Sequence, residues 1–132
     1  MTIYARVTHN QKPTYHDIVI YQGATFSDTV TIREVSGIAF DLSDYDVRGT
    51  INRTSTAADS EDLAFEATIS DATGGDITLA LSAADTGAME AENGGPTWYV
   101  YDVEIYQAVD SDTPVEIVYR VVQGRALLEP EL

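Results

Sequence analysis

Few side chains in this sequence could carry out catalytic chemistry. The only two histidines, His9 and His16, both lie near the N-terminus, and the chain has no cysteine. There is therefore no thiolate nucleophile, no disulfide and no cysteine-based zinc site. Two histidines close together in sequence do not complete a transition-metal set or a hydrolase triad. We interpret both as surface residues, and we predict no enzymatic activity, no metal ligand and no cofactor.

Paired carboxylates are the remaining candidates for acid–base or metal chemistry. Asp102 and Glu104 share one face of a predicted strand, as general acid and base work requires. However, the chain has 22 acidic residues against seven basic ones, a net charge of -15, so such pairs occur on any solvated face. The aspartate clusters around Asp41 and Asp110 offer oxygen ligands for calcium but lack the glycine and terminal glutamate of an EF-hand loop. We predict structural roles for all of them.

Aromatic residues are better candidates for a binding surface. The chain has eight tyrosines and one tryptophan, and four of these aromatics fall on one predicted strand. Because successive strand residues point to opposite sides, Trp98 and Tyr106 share the face opposite Tyr99 and Tyr101. One face fills the core of a sandwich. The other face, with Trp98 and Tyr106, is either an interface with another subunit or is covered by a second layer of core.

Charge separates the N-terminal segment from the rest of the chain. Residues 1–16 contain Arg6 and Lys12 and no acid, whereas residues 17–132 contain five basic and 22 acidic side chains. We predict a basic N-terminal arm (1–16) followed by a single domain (17–132). Arg6 and Lys12 are candidates for docking on the acidic surface of another subunit; the alternative is a loose terminus of accidental composition. The acidic body repels phosphate, so nucleic acid is not an expected partner.

Alternation of apolar and polar residues with period two dominates the sequence and predicts strands. We predict an all-β fold: an antiparallel β-sandwich, immunoglobulin-like or jelly-roll-like, of roughly seven or eight strands with an extended N-terminal arm. Ser82 and Asp85 have the spacing of a capping box and predict one short helix of about two or three turns. The polar stretch 54–62 is predicted to be an exposed hairpin loop. No apolar run is long enough for a membrane helix, and Met1–Val7 is not a signal peptide.

The alternation assigns an inward and an outward side to the best-defined strands. In one strand Phe26, Val30 and Ile32 face inward and Ser27, Thr29, Thr31 and Arg33 face outward; in another Val47, Gly49 and Ile51 face inward and Arg48, Thr50 and Asn52 face outward. The further inward sets are Leu63, Phe65, Ala67 and Ile69; Ile77, Leu79 and Leu81; and Val115, Ile117, Tyr119 and Val121.

A series of motifs in fixed order points to a family. Across residues 17–132 the series resembles small structural proteins of tailed bacteriophages, related to the N-terminal domain of siphophage baseplate upper proteins. The resemblance implies that Gln22-Gly23 opens a strand, that Asp41-Leu42 forms a turn, and that a short helix follows Ser82. The motifs are Ile20–Phe26, Phe40–Tyr45, Gly75–Thr86, Tyr99–Ile105 and Gln123–Pro130.

This resemblance implies a virion structural protein without enzymatic activity, a tail, baseplate or fibre-attachment component. Its partners would be other copies of itself and other virion proteins, and it would be made in the host cytoplasm and localise to the virion. A capsid decoration (cement) protein is the alternative within this class. A carbohydrate-binding module, with Trp98 and neighbouring tyrosines as stacking platforms, is the alternative outside it. The 16-residue extension departs from the family pattern, so its partner is not implied.

Overall fold

The computed structural model describes residues 2–7, 12–53, 63–107 and 117–131 and confirms the predicted all-β sandwich. Two sheets pack face to face around one hydrophobic core. Within the described residues there is one α-helix, and a short 3-10 helix precedes the ninth strand. In chain order the elements are β1 (Thr2–Val7), β2 (Thr14–Tyr15), β3 (Ile18–Tyr21), β4 (Phe26–Glu34), β5 (Asp46–Arg53), β6 (Leu63–Ala64), β7 (Glu66–Asp71), β8 (Asp76–Leu81), α1 (Ala83–Ala88), the 3-10 helix (Glu92–Gly94), β9 (Thr97–Gln107) and β10 (Ile117–Glu129).

The two sheets are mixed rather than purely antiparallel, which corrects the prediction. The four-stranded sheet has the order β1-β4-β8-β7, and the pairing of β1 with β4 is parallel. The six-stranded sheet has the order β2-β10-β9-β5-β6, and β3 also pairs with β10. Both β2 and β3 run parallel to β10, which is antiparallel to β9. The antiparallel pattern holds for the later strands, and the N-terminal strands break it.

The core is filled by the inward side of each strand, largely as the alternation predicts. In β4, Phe26, Val30 and Ile32 are buried, and β-branched side chains favour the extended backbone there. Strand β10 changes phase at a bulge between Arg120 and Val122, so Val121 and Val122 are both buried. A bulge adds one residue to one strand and reverses which positions face inward. The largest fully buried side chains are Ile3, Ile18, Ile20, Val30, Ile32, Leu42, Ile51, Ile77, Leu79, Leu81, Ile105 and Leu128.

The N-terminal segment differs from the predicted arm. Thr2–Val7 forms β1 and pairs with β4 over six positions. Ile3 and Ala5 are 2% and 1% exposed, so both contribute to the core of the same chain. Burial of an isoleucine side chain contributes roughly 2 kcal/mol, which favours docking of β1 on its own domain. Further along, Thr14–Tyr15 forms β2 in the opposite sheet.

The predicted helix is present but shorter than expected. Helix α1 has six residues, and the Ser82 hydroxyl accepts a hydrogen bond from the backbone N–H of Asp85 at 3.1 Å. This is the N-cap that the Ser82–Asp85 spacing predicts. Met89 turns extended and buries its side chain, which ends the helix after fewer than two turns. The predicted loop 54–62 lies outside the described residues.

Candidate functional site

The outward side of the six-stranded sheet is the candidate site, and we name it the aromatic face. Of the nine exposed large apolar side chains among the described residues, six lie on this face. Trp98 is 42% exposed, so no described residue forms a second layer over it. The predicted alternative of a covering core layer therefore does not apply to Trp98 within the described structure. The six residues are Tyr15, Val19, Tyr21, Trp98, Val100 and Val118.

Strand register arranges the aromatic face in six rows that cross the strands. Adjacent strands lie about 4.8 Å apart and successive outward residues about 6.6 Å apart, so neighbours in a row are in contact distance. Trp98 and Tyr106 each lie beside an apolar residue of β10, and polar and charged side chains dominate the rows between them. From one end the rows are Tyr21 and Glu129; Trp98, Leu127 and Val19; Asn52, Val100, Arg125 and Asp17; Thr50, Asp102, Gln123 and Tyr15; Arg48, Glu104 and Arg120; and Asp46, Tyr106 and Val118.

Trp98 is fixed on this face by an arginine. The Arg125 guanidinium carbon lies 4.4 Å from the centre of the indole ring, a cation–π contact. Asp17 holds Arg125 from the neighbouring strand edge: it accepts from the Arg125 backbone N–H at 2.9 Å and from the side-chain Nη2 at 3.2 Å. These hydrogen bonds, the backbone one first, hold the pKa of Asp17 below its ordinary value. One side of the indole is thus occupied within the chain.

Tyr106 lies at the opposite end of the face and has a matching arrangement. The Arg48 guanidinium carbon is 4.5 Å from the centre of its ring, and Arg48 Nε donates to Glu104 Oε1 at 2.8 Å. Arg120 Nη2 is 3.7 Å from Glu104 Oε2 and 3.9 Å from Asp102 Oδ2. Asp102 and Glu104 do share one strand face, as predicted. Both are engaged by arginines, which is the arrangement of a solvated ion-pair network rather than of a free acid and base.

A shallow cleft opens in the middle of the face. Its volume is about 300 Å³, and its polar lining includes Asn52, Asp102 and Gln123, with Tyr15 at one side. Burial raises the pKa of Asp102, and Arg120 opposes part of that effect. The cleft therefore offers amide and guanidinium donors, one carboxylate and a tyrosine ring to a ligand or to a partner side chain.

Comparison with protein-family models and with curated protein sequences finds no match to this chain. In the described ranges, no group of three or more histidine, cysteine, aspartate or glutamate side chains is placed to hold a metal ion. No helix of the described residues has the length and apolar character needed to span a membrane.

The four predicted interface residues lie in different parts of the molecule. Trp98 and Tyr106 share the aromatic face, as the alternation predicts, at its two ends. Arg6 lies on β1 in the other sheet, where its Nη1 donates to the carbonyls of Glu34 at 3.2 Å and Val35 at 3.1 Å. Lys12 is exposed just before β2. The structure therefore does not bring Arg6 together with the aromatic residues, and docking of Arg6 and Lys12 on another molecule stays a prediction.

The sequence motifs around Gln22 and Asp41 have structural roles. Gly23 adopts φ +82° in a tight turn, and its N–H donates to Thr86 Oγ1 at 3.0 Å. The Gln22 side chain donates to the Met89 carbonyl at 2.9 Å and accepts from the Glu131 N–H at 3.1 Å. These hydrogen bonds connect the turn after β3 to the region of α1 and to the C-terminal residues. At the other motif Asp41 accepts from the Ser43 N–H at 2.9 Å, as predicted, and the buried Leu42 anchors the turn.

Several residues of the aromatic face could not be identified from the sequence pattern alone. Tyr15, Val19 and Tyr21 reach the face because β2 and β3 pair with β10, more than 100 residues away. The alternation of Val19 and Tyr21 with buried Ile18 and Ile20 was the available signal for their outward direction. His16, interpreted as a surface residue, is half-buried, and its Nε2 is buried without a hydrogen-bond partner among the described atoms.

Proposed function

We propose that this protein is a structural component of a tailed-phage virion, a tail, baseplate or fibre-attachment protein without enzymatic activity. It acts through contacts with other virion proteins and with copies of itself, and the aromatic face is its contact surface. The observation that carries the proposal is the concentration, on one sheet face, of six of the nine large apolar side chains that are exposed in the described part of the chain. Tyrosine and tryptophan are enriched in protein interfaces, and clustered exposed apolar residues mark interaction sites.

The engagement of the acidic side chains favours a structural role over a catalytic one. Glu104 and Asp102 are the best-placed carboxylates for acid–base chemistry, and both lie against Arg120. A general acid or base must reach its substrate proton, whereas these groups are committed to ion pairs. The phage assignment itself rests on the ordered motifs across residues 17–132.

Mass spectrometry of purified virions is the test of this proposal. The particles should contain the chain at a fixed stoichiometry that survives gradient purification. A chain that is expressed during infection but absent from purified particles would overturn the proposal. Cryo-electron microscopy of the particle then distinguishes a tail or baseplate position from the capsid surface expected of a decoration protein.

Glycan binding is the second candidate, because the central cleft places Tyr15, which is 60% exposed, beside amide and guanidinium donors. Stacking on an aromatic ring combined with such donors suits a sugar ring. Occupation of one side of Trp98 by Arg125 reduces the stacking surface that a carbohydrate-binding module needs. Titration of the labelled protein with a panel of oligosaccharides distinguishes the two candidates. Saturable NMR shifts around the cleft, lost in Tyr15→Ala, would favour glycan binding over assembly.

A further inference from the structure

We propose that the outer edge of β1 binds an extended, acidic segment of another protein, which adds to the four-stranded sheet as a further strand. This site is separate from the aromatic face, and it does not depend on whether the chain is a virion component. Three features of the structure support it: the strand edge, a pair of arginines and a cluster of exposed apolar side chains. We name the site the β1 corner, and its residues are Tyr4, Arg6, Arg33, Val35 and Ile38.

Strand β1 has an edge that lacks the usual protection. Within the described residues it pairs with β4 on one side and with no strand on the other. Proteins ordinarily protect such edges with bulges, prolines or charges, or keep them very short. At the opposite edge of the same sheet, β7 has a register shift between Ile69 and Asp71. In contrast, β1 pairs over six positions without a shift, and it contains neither a proline nor a carboxylate. Its edge is therefore suited to strand addition, in which main-chain hydrogen bonds supply the affinity.

Two arginines beside this edge have no carboxylate partner among the described residues. Arg6 and Arg33 are direct cross-strand partners in the pairing of β1 with β4. Arg6 donates to backbone carbonyls, as described above, and Arg33 Nη1 donates to the Gly37 carbonyl at 3.2 Å. The Arg33 guanidinium carbon also lies 5.8 Å from the centre of the Tyr4 ring. The other four arginines each have a carboxylate oxygen within 3.7 Å; they are Arg48, Arg53, Arg120 and Arg125.

This arginine pair determines the charge of the partner. Like charges directly opposite each other on adjacent strands are unfavourable. A strand added beside β1 would lie about 4.8 Å from it and would place one side chain next to Arg6, in the row that Arg6 shares with Arg33. A carboxylate at that position offsets the repulsion and accepts charge-assisted hydrogen bonds from the guanidinium groups. The segment that fits is therefore acidic on the side that faces Arg6.

Apolar side chains adjoin the arginines. The three exposed large apolar residues outside the aromatic face all lie at the β1 corner, where Tyr4 is 63% exposed and Val35 and Ile38 are each 65% exposed. Val35 and Ile38 belong to the turn after β4, and the carbonyl of Val35 accepts a hydrogen bond from Arg6 at 3.1 Å. Clustered exposed apolar residues mark interaction sites. The partner segment should therefore combine carboxylates with apolar side chains.

NMR titration of the isotope-labelled full chain with synthetic peptides tests the inference. The first peptide is capped, alternates glutamate with valine and matches β1 in length. The second has lysine in place of glutamate, and the third is the glutamate peptide with every backbone nitrogen methylated. We expect the glutamate peptide to cause saturable shifts of the backbone amide signals of Thr2–Val7, and the lysine peptide to bind there about fivefold more weakly. The methylated peptide should not bind, because it cannot donate main-chain hydrogen bonds.

The net charge of the chain makes this a demanding test. At -15 the protein as a whole attracts the lysine peptide and repels the glutamate peptide. A preference for glutamate at β1 must therefore come from the local arginines. The inference is overturned if the glutamate peptide does not bind at β1, if the lysine peptide binds there as tightly or more tightly, or if methylation leaves binding unchanged.

Matched variants assign the preference to the arginine pair. Arg6→Gln should weaken binding of the glutamate peptide about threefold, and Arg33→Gln should weaken it less, because Arg33 lies one strand further from the edge. Arg53→Gln makes the same change of net charge at an arginine held by Glu90 and Glu92, and it should alter binding by less than about twofold. Circular dichroism and the thermal midpoint check that the variants fold. Equal losses in Arg6→Gln and Arg53→Gln, or unchanged binding in Arg6→Gln, would contradict an acidic partner at this edge.

Discussion

The two outward faces of the sandwich are built by the same strand geometry but present different chemistry. The four-stranded sheet turns a row of four threonines to solvent, one from each strand, and we name this side the threonine face. On the opposite side the aromatic face presents Trp98, Tyr15 and Tyr21 among arginines and carboxylates. Arginine–carboxylate pairs occur on the aromatic face, whereas the threonine face carries several hydroxyls and also Tyr4, whose ring centre lies 5.8 Å from the Arg33 guanidinium carbon. The threonine row is Thr2, Thr29, Thr78 and Thr68.

Alternation along a strand and residue type at its outward positions carry separate information. Alternation decides which residues enter the core of both sheets, apart from the register shifts in β10 and β7. The residue types at the outward positions decide whether a face favours water or a partner. Threonine is compatible with a solvated strand because it is β-branched and still binds water. Tyrosine and tryptophan expose apolar area that a partner can bury.

The largest effect on stability is expected from Gly124→Ala, which should displace β2 from one edge of the aromatic face. A Cβ atom at this position would lie 2.1 Å from the carbonyl oxygen of His16, so β2 and β10 could not keep their present separation. We expect a loss of about 2–3 kcal/mol in the free energy of unfolding, measured by urea denaturation, together with release of Tyr15 from the face.

Gly87→Ala is the matched control for that variant. A Cβ atom there meets its nearest neighbour, Gly23 Cα, at 3.7 Å, an ordinary van der Waals distance. Because Gly87 lies in helix α1, alanine should be neutral or stabilising by up to about 1 kcal/mol. An unchanged stability of Gly124→Ala would show that the close approach of β2 to β10 is not required for the fold.

The sequence predicted the inner surfaces of the sandwich better than its outer ones. Phe26, Val30 and Ile32 face the core because period-two alternation is a local property that any strand must show if one side is buried. β1 has the same pattern in Ile3 and Ala5, but the basic composition of residues 1–16 was interpreted as an arm. Net charge is summed over a whole segment, whereas burial is decided residue by residue. In this segment the alternation of single residues predicted the structure better than the net charge did.

Features that depend on distant pairing were not predictable from the local pattern. The bulge after Arg120 shifts the phase of β10, so the alternation of residues 115–121 does not extend to Gly124 and Arg125. Parallel pairing of β2 and β3 with β10 brings Tyr15 and Asp17 beside Arg125, more than 100 residues apart in sequence. The shared face of Trp98 and Tyr106 was predicted because both lie on one strand. Their partners Arg125 and Arg48 lie on neighbouring strands and were missed.

A smaller effect is expected from Asp17→Asn, which removes the carboxylate that holds Arg125 over Trp98. We expect a loss of about 0.5–1 kcal/mol at pH 7 in the free energy of unfolding, because the pair is largely exposed. The lowered pKa of Asp17 means that this stabilisation is present above its ordinary value of 3.8 and is lost as pH falls through the lowered pKa. The difference between wild type and variant should therefore disappear in acid.

The control is Asp44→Asn, the same change at an exposed aspartate in the turn after Leu42. It should alter the free energy of unfolding by less than about 0.5 kcal/mol. A stability difference for Asp17→Asn that persists at the lowest pH would show that the effect does not come from the ionised carboxylate.

Two carboxylates of the aromatic face, Asp102 and Asp17, should titrate in a defined order. Burial raises the pKa of Asp102 above 3.8, whereas hydrogen bonds from Arg125 lower the pKa of Asp17 below that value. On acidification Asp102 should therefore take up its proton before Asp17, as followed by the side-chain carbonyl signals in NMR. Because the pKa of Asp102 is raised by folding, this group favours the native state increasingly as pH falls through that pKa. The reverse order would mean that the central cleft is as solvated as the edge of the sheet.

The smallest effect on stability is expected from a double variant of the threonine face. Thr29 and Thr78 are cross-strand partners on the threonine face, and replacing both with valine exchanges two hydroxyls for two methyl groups of similar volume. At these half-exposed strand positions the free energy of unfolding should change by less than about 0.5 kcal/mol, because both residue types are β-branched. Val100→Thr makes the opposite exchange on the aromatic face. If the aromatic face is the contact surface, sedimentation velocity should show weaker association for Val100→Thr and unchanged association for Thr29→Val/Thr78→Val. Stronger association of the double variant would mean that any apolar pair on an outward strand face is sufficient, and that the aromatic face has no special part in recognition.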